Sequence, residues 1–99
     1  MNLRIYKTED GICTYPLHVH SQYEIIYYLK GSGVLKTETH SYPFIPGTVI
    51  IVPPGIYHGS TSAAEFKNIS INGDFESFFN YREITVIEKT GSEGMFFAE

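Results

Sequence analysis

The sequence predicts one all-β domain, a sandwich or small barrel, and three observations carry that reading. Turn signals recur along the chain: Asp10-Gly11, Gly31-Ser-Gly33, Pro46-Gly47, Pro53-Pro-Gly55 and Asn72-Gly73. The segments between them are short and rich in β-branched and aromatic residues. Aromatics make up 15% of the 99 residues, with eight Tyr, seven Phe and no Trp, and large rings favour strands and pockets over helical bundles. A chain this short hides only about 60–65% of its unfolded surface. Its core is therefore modest, and association with a second copy would help it.

Strands are expected near Leu3–Lys7, His18–Leu29, Val34–Thr39, Thr48–Val52, Phe66–Ile71 and Ile84–Glu88. Pro46-Gly47 and Pro54-Gly55 each offer Pro at i+1 and Gly at i+2, the chemistry of a type II turn. The polar run around His40 predicts a hairpin tip. Past the strands, Asp74 can cap a short helical turn over 74–81, with Phe75, Phe78 and Phe79 at i, i+3 and i+4. The tail 89–99 carries Met95-Phe96-Phe97 after a Gly/Ser-rich stretch, an apolar group seldom left exposed. It is expected to pack on something or to lead into further chain.

The formal charge is −4, and each of the seven Lys and Arg stands alone in the sequence. Direct nucleic-acid binding by these residues is excluded, because it needs a basic face. The single Cys13 cannot form an internal disulfide, is expected to be a buried small apolar side chain, and fits a reducing compartment. No apolar run approaches the ~18 residues of a membrane span, and the N-terminal residues MNLRIYKTEDG carry acids where a signal peptide is apolar. A cytoplasmic location without a membrane partner is expected.

The stretch HVHSQYEIIYYLKG, His18 to Gly31, carries the chemistry. As one strand it alternates faces, so His18, His20, Gln22, Glu24, Ile26 and Tyr28 share one side. Neither side is simply polar, which predicts a strand covered on both. A carboxylate inside a barrel is costly unless it is protonated, hydrogen-bonded to a histidine or bound to a cation. Imidazole and carboxylate together suit zinc, iron, nickel, manganese or copper. His58, after the turn that follows Val49–Val52, is a fourth candidate ligand. Gln22 and Tyr28, on the parity of the His pair, are candidate ligand-binding residues that can hydrogen-bond or stack on a sugar. Tyr57 is a candidate rim residue. No catalytic residue is assigned: Ser60 and Ser62 lack a glycine elbow.

This pattern resembles the cupin superfamily. Its first motif (Gly, HxH, Glu, Gly) runs here from Gly11 through His18-Val-His20 and Glu24 to Gly31, with the first gap one residue longer than usual. Its second (Gly, PxG, His, Asn) runs from Gly47 through Pro53-Pro-Gly55 to His58, with Ser62 where the Asn would stand. The motif core, 11–62, covers about half the chain. The resemblance implies a single cupin domain over 1–99, a jelly-roll barrel or double-stranded β-helix. Its metal-ligand positions correspond to His18, His20, Glu24 and His58, for one divalent transition metal (Zn, Fe, Mn or Ni). More narrowly, HVHSQYEIIYYLKGSG, VIIVPPGIYHGS and FKNISINGDF resemble the amino-terminal cupin of AraC-type transcriptional regulators. That implies an effector-sensing, homodimeric barrel for a small molecule, a sugar among the candidates. DNA would be read only by a C-terminal helix-turn-helix part that these 99 residues do not contain. The alternative is a stand-alone metal-dependent cupin enzyme of dioxygenase, isomerase or lyase type.

Overall fold

A computed structural model describes residues 3–8, 11–76 and 80–87 of the chain. The fold is two antiparallel sheets facing one another. Strands β1 (Leu3–Lys7), β8 (Lys67–Gly73), β3 (Tyr23–Lys30), β6 (Val49–Val52) and β9 (Thr85–Ile87) form the first, in the order β1-β8-β3-β6-β9. Strands β2 (Thr14–His18), β7 (His58–Ser62), β4 (Gly33–Lys36) and β5 (Ser41–Phe44) form the second, in the order β2-β7-β4-β5. Consecutive strands repeatedly cross between the sheets, the double-sheet arrangement of a jelly roll.

The core lies between the sheets toward one end. Ile26, Tyr28, Leu35, Phe44, Ile50, Val52 and Phe66 make one buried cluster. The Tyr28 ring stacks on Phe44 with centroids 3.7 Å apart, and its hydroxyl bonds the Ser60 hydroxyl at 2.7 Å. That bond is what lets a phenol be fully buried. Gly47 and Gly55 take positive φ, 95° and 82°, as the two Pro-Gly turns require.

Four differences from the sequence reading stand out. The long strand expected over His18–Leu29 is β3 alone, which starts at Tyr23: His18 is the last residue of β2, a strand the sequence did not suggest, and residues 19–22 form the connection. The polar run from His20 to Gln22 and the change of sheet at this point break the alternation. The strand Val34–Thr39 ends at Lys36, with Thr37–His40 as the hairpin turn and β5 beyond it. Strands β5 and β7 escape notice in the sequence because Ser-Tyr-Pro-Phe and His-Gly-Ser-Thr-Ser have little β character of their own. Cys13 is exposed, not buried. Its neighbour Ile12 packs against the core instead, and Thr14 opens β2, the edge strand of the second sheet. The expected helical turn over 74–81 and the tail 89–99 fall partly or wholly outside the described residues, as do Phe78 and Phe79.

Candidate metal and ligand site

The four candidate ligands come from four places in the fold. His18 closes β2, His20 lies in the connection 19–22, Glu24 is near the start of β3, and His58 opens β7. The structure brings them together: one ligand atom from each lies within 4.8 Å of every other.

A bulge in β2 aims His18. Tyr15 pairs with Ser60 and His18 with His58, so β2 takes three steps where β7 takes two. Without the extra residue Tyr15 and His18 would face opposite sides of the sheet. With it both line the cavity, their rings edge to face at 5.1 Å. Pro16 sits in the bulge, where its missing N–H costs no ladder bond. Gly59 permits the close approach: a Cβ there would lie 2.6 Å from the Tyr15 carbonyl oxygen and 2.9 Å from the backbone of Pro16 and Leu17. The turn after β6 fastens the second histidine, since the Gly55 N–H donates to the His20 carbonyl at 2.9 Å. The two halves of the site are thus joined through the backbone.

Two of the rings are oriented from behind. The His58 Nδ1–H donates to the Ile56 carbonyl and the His18 Nδ1–H to the Pro16 carbonyl, each at 2.8 Å. Each anchor is the residue two positions earlier. In the neutral imidazole this tautomer leaves the lone pair on Nε2. Those Nε2 atoms face the Glu24 carboxylate: His58 at 2.5 Å, His20 at 3.7 Å and His18 at 3.9 Å from Oε1. A lone pair against a carboxylate is repulsive unless a proton or a cation stands between them. Donors bound about 2 Å from a common ion are themselves roughly 3–4 Å apart. The spacing, the three-nitrogen, one-oxygen donor set and the backbone-held tautomers fit a divalent transition metal.

The electrostatics agree. Burial alone would push the Glu24 acid up, but hydrogen bonds to His18 and His58 outweigh it and hold the group down at about 2. The Glu24 hydrogen bond raises His18, while burial lowers His20. Burial also raises the Tyr28 phenol, so it is a neutral hydrogen-bonding group.

The cluster lies on the wall of a cavity of about 320 Å³, which Tyr6, Tyr15, Ile26, Ser60, Asn68 and Ser70 help to line. The other sequence candidates are placed elsewhere. Tyr28 is fully buried in the core and reaches this wall through its hydrogen bond to Ser60. Gln22 lies in an adjoining groove and donates to Asp74 at 3.3 Å. Tyr57, 49% exposed, borders a different groove with Arg82 and Ile84. His40 is exposed at its hairpin, bonded to Thr39. The sequence reading missed Tyr6, Tyr15, Asn68 and Ser70. One signal was present: in Asn68-Ile-Ser-Ile-Asn72 the polar residues alternate strictly with isoleucine, as they would on a strand with a polar cavity on one side.

Two facing antiparallel sheets with three histidines and a glutamate between them define a cupin, and solved structures confirm the fold. A cupin-2 domain protein from Shewanella frigidimarina matches with TM-score 0.58 and 18% identity, over 70% of this chain and 66% of its own length. An RmlC-like cupin from Desulfovibrio desulfuricans matches at 0.63 and 22%, over 73% and 72%. A variant of the oxalate decarboxylase of Bacillus subtilis matches at 0.62 and 21%, over 79% of this chain and 22% of that one. The search of curated proteins gave no match. Within the cupins, the model of the AraC-like ligand binding domain matches residues 8–89, and the chain belongs to that family.

Proposed function

We propose that this chain is the effector-sensing module of an AraC-type transcriptional regulator, with His18, His20, Glu24 and His58 holding one divalent transition metal beside the effector cavity. The family match over 8–89 carries the first part. The two Nδ1 anchors that turn Nε2 toward a shared carboxylate support the second. A metal there would offer a Lewis-acidic position to an effector oxygen. The chain's own residues would supply the rest of the recognition: the Tyr15 ring as a wall, and Ser60, Ser70 and Asn68 as hydrogen-bonding partners. In this reading residues 1–99 are one domain, the protein is cytoplasmic, and a C-terminal segment beyond Glu99 reads DNA. Effector binding shifts the population of DNA-competent states by no more than its difference in affinity between them.

The outer face of the first sheet supports a homodimer. Leu3, Ile5, Tyr27 and Leu29 lie there, 52%, 64%, 38% and 45% exposed. A second copy would cover them.

The test has two parts. The parent gene is read past Glu99, where a stop codon removes the regulator. Elemental analysis after reconstitution with iron, manganese, nickel or zinc in turn is expected to find about one ion per chain, and only traces in His58→Ala. Sub-stoichiometric metal throughout removes the metal centre. The complete donor set also supports a second reading, a metal-dependent cupin enzyme. Turnover by metal-loaded protein that is lost in His58→Ala would favour it.

A further inference from the structure

Beside the cluster, a groove of about 730 Å³ runs along the end of the first sheet, bordered by Arg4, Tyr6, His20, Gln22 and Asn72. It shares Tyr6 and His20 with the cavity of the cluster, so these two side chains border both spaces. Across the sheet Arg4 on β1 pairs with Asn72 on β8, and Asn72 pairs with Glu24 on β3. The three residues make one row. With strands ~4.8 Å apart, the backbones of Arg4 and Glu24 are about 10 Å apart, with Asn72 midway.

Asn72 is 3% exposed, and its Oδ1 is the buried side-chain acceptor without a hydrogen-bond partner among the described residues. An acceptor left in that state costs about 1–3 kcal/mol, so the arrangement waits for a donor. Arg4 has no ion pair among the described residues. In a chain of net charge −4, the lining of cavity and groove holds one acid, Glu24, against Arg4 and Lys7. A divalent ion on the cluster would outweigh that acid, making both ends of the row positive.

We propose that the effector is a polyhydroxylated carboxylate of about four to six carbons, lying along this row. Its hydroxyls face the metal cluster, a central hydroxyl donates to Asn72 Oδ1, and its carboxylate pairs with the Arg4 guanidinium, whose fork suits that anion. This rests on the sensing reading above, since the cluster anchors one end.

Calorimetry of the metal-loaded full chain tests it with two matched pairs, gluconate against sorbitol and threonate against threitol. At least one acid should bind ten-fold or more tighter than its alcohol. Arg4→Gln should remove most of that preference. Asn72→Leu should weaken the acid ten-fold or more while leaving the melting temperature equal or higher, because it deletes an unpartnered acceptor. A merely structural Asn72 would lower it. Equal binding of acid and alcohol, binding of neither, or a preference that survives in Arg4→Gln overturns the proposal. Elemental analysis of each protein separates the two layers. Full metal occupancy with no acid preference defeats this inference alone, and absence of metal defeats the site beneath it.

Discussion

At the residue scale, Glu24 organises the site because it is buried and yet ionised. Three imidazoles converge on it, and burial, which should neutralise it, loses to hydrogen bonds from His18 and His58. The consequence for metal-free protein has a definite sign. Glu24 falls from 4.5 to about 2 on folding, so the native state holds this proton more weakly than the unfolded chain does. Its contribution is present above pH 4.5 and is lost as pH falls toward 2. The loss is on the order of 3 kcal/mol. His18 acts in the opposite sense: its value is raised, so its contribution is complete below 6.5 and fades as pH rises through the folded value. Chelator-treated protein should therefore lose stability as pH falls from 4.5 toward 2, while above that range the raised His18 and the lowered His20 act in opposite senses. Urea titrations across pH check this, and a flat acid limb in wild type that matches Glu24→Gln would contradict it.

At the element scale, the bulge in β2 decides whether there is a site. It exists because Pro16 cannot join a regular ladder and because Gly59 leaves room for the displaced backbone. Gly59→Ala puts a methyl 2.6 Å from the Tyr15 carbonyl, a contact with backbone that cannot swing away. The expected cost is about 1–3 kcal/mol by chemical denaturation, as for overpacking elsewhere. Because the clash wedges β2 from β7, His18 should move off His58 and metal affinity should fall at least ten-fold. Wild-type metal affinity in a folded Gly59→Ala protein would show that the bulge does not set the site. Strand β8 shows how a pattern can be legible and still be misassigned. Its alternation of Asn68, Ser70 and Asn72 with Ile69 and Ile71 reads as a half-buried strand, and ordinarily the apolar side would face the core. Here the polar residues face inward, because the barrel encloses a polar cavity at this end.

At the scale of the whole molecule, that inversion leaves an apolar outer sheet. Leu3 and Ile5 on β1 and Tyr27 and Leu29 on β3 are exposed together on it. A patch of this kind marks an interaction surface. If a second copy covers it, Ile5→Asp should shift the protein from dimer to monomer in analytical ultracentrifugation without changing its metal content. A wild-type monomer at micromolar concentration would remove the dimer. No helix among the described residues is long and apolar enough to cross a membrane.

Local chemistry determined much of this by itself. The Pro-Gly turns and the short β-branched runs settled the all-β class, since turn geometry is a property of neighbouring residues. The resemblance to the two cupin motifs, not periodicity, named His18, His20, Glu24 and His58 together. Only the tertiary structure decided that these four arise from two strand ends, a connection and a third strand, that Tyr28 serves the core, and that Arg4, Asn72 and Glu24 lie in one row. Those facts depend on which strand lies beside which and on a single bulged residue. Register between distant segments is set by packing across the whole barrel, and no window of sequence contains it.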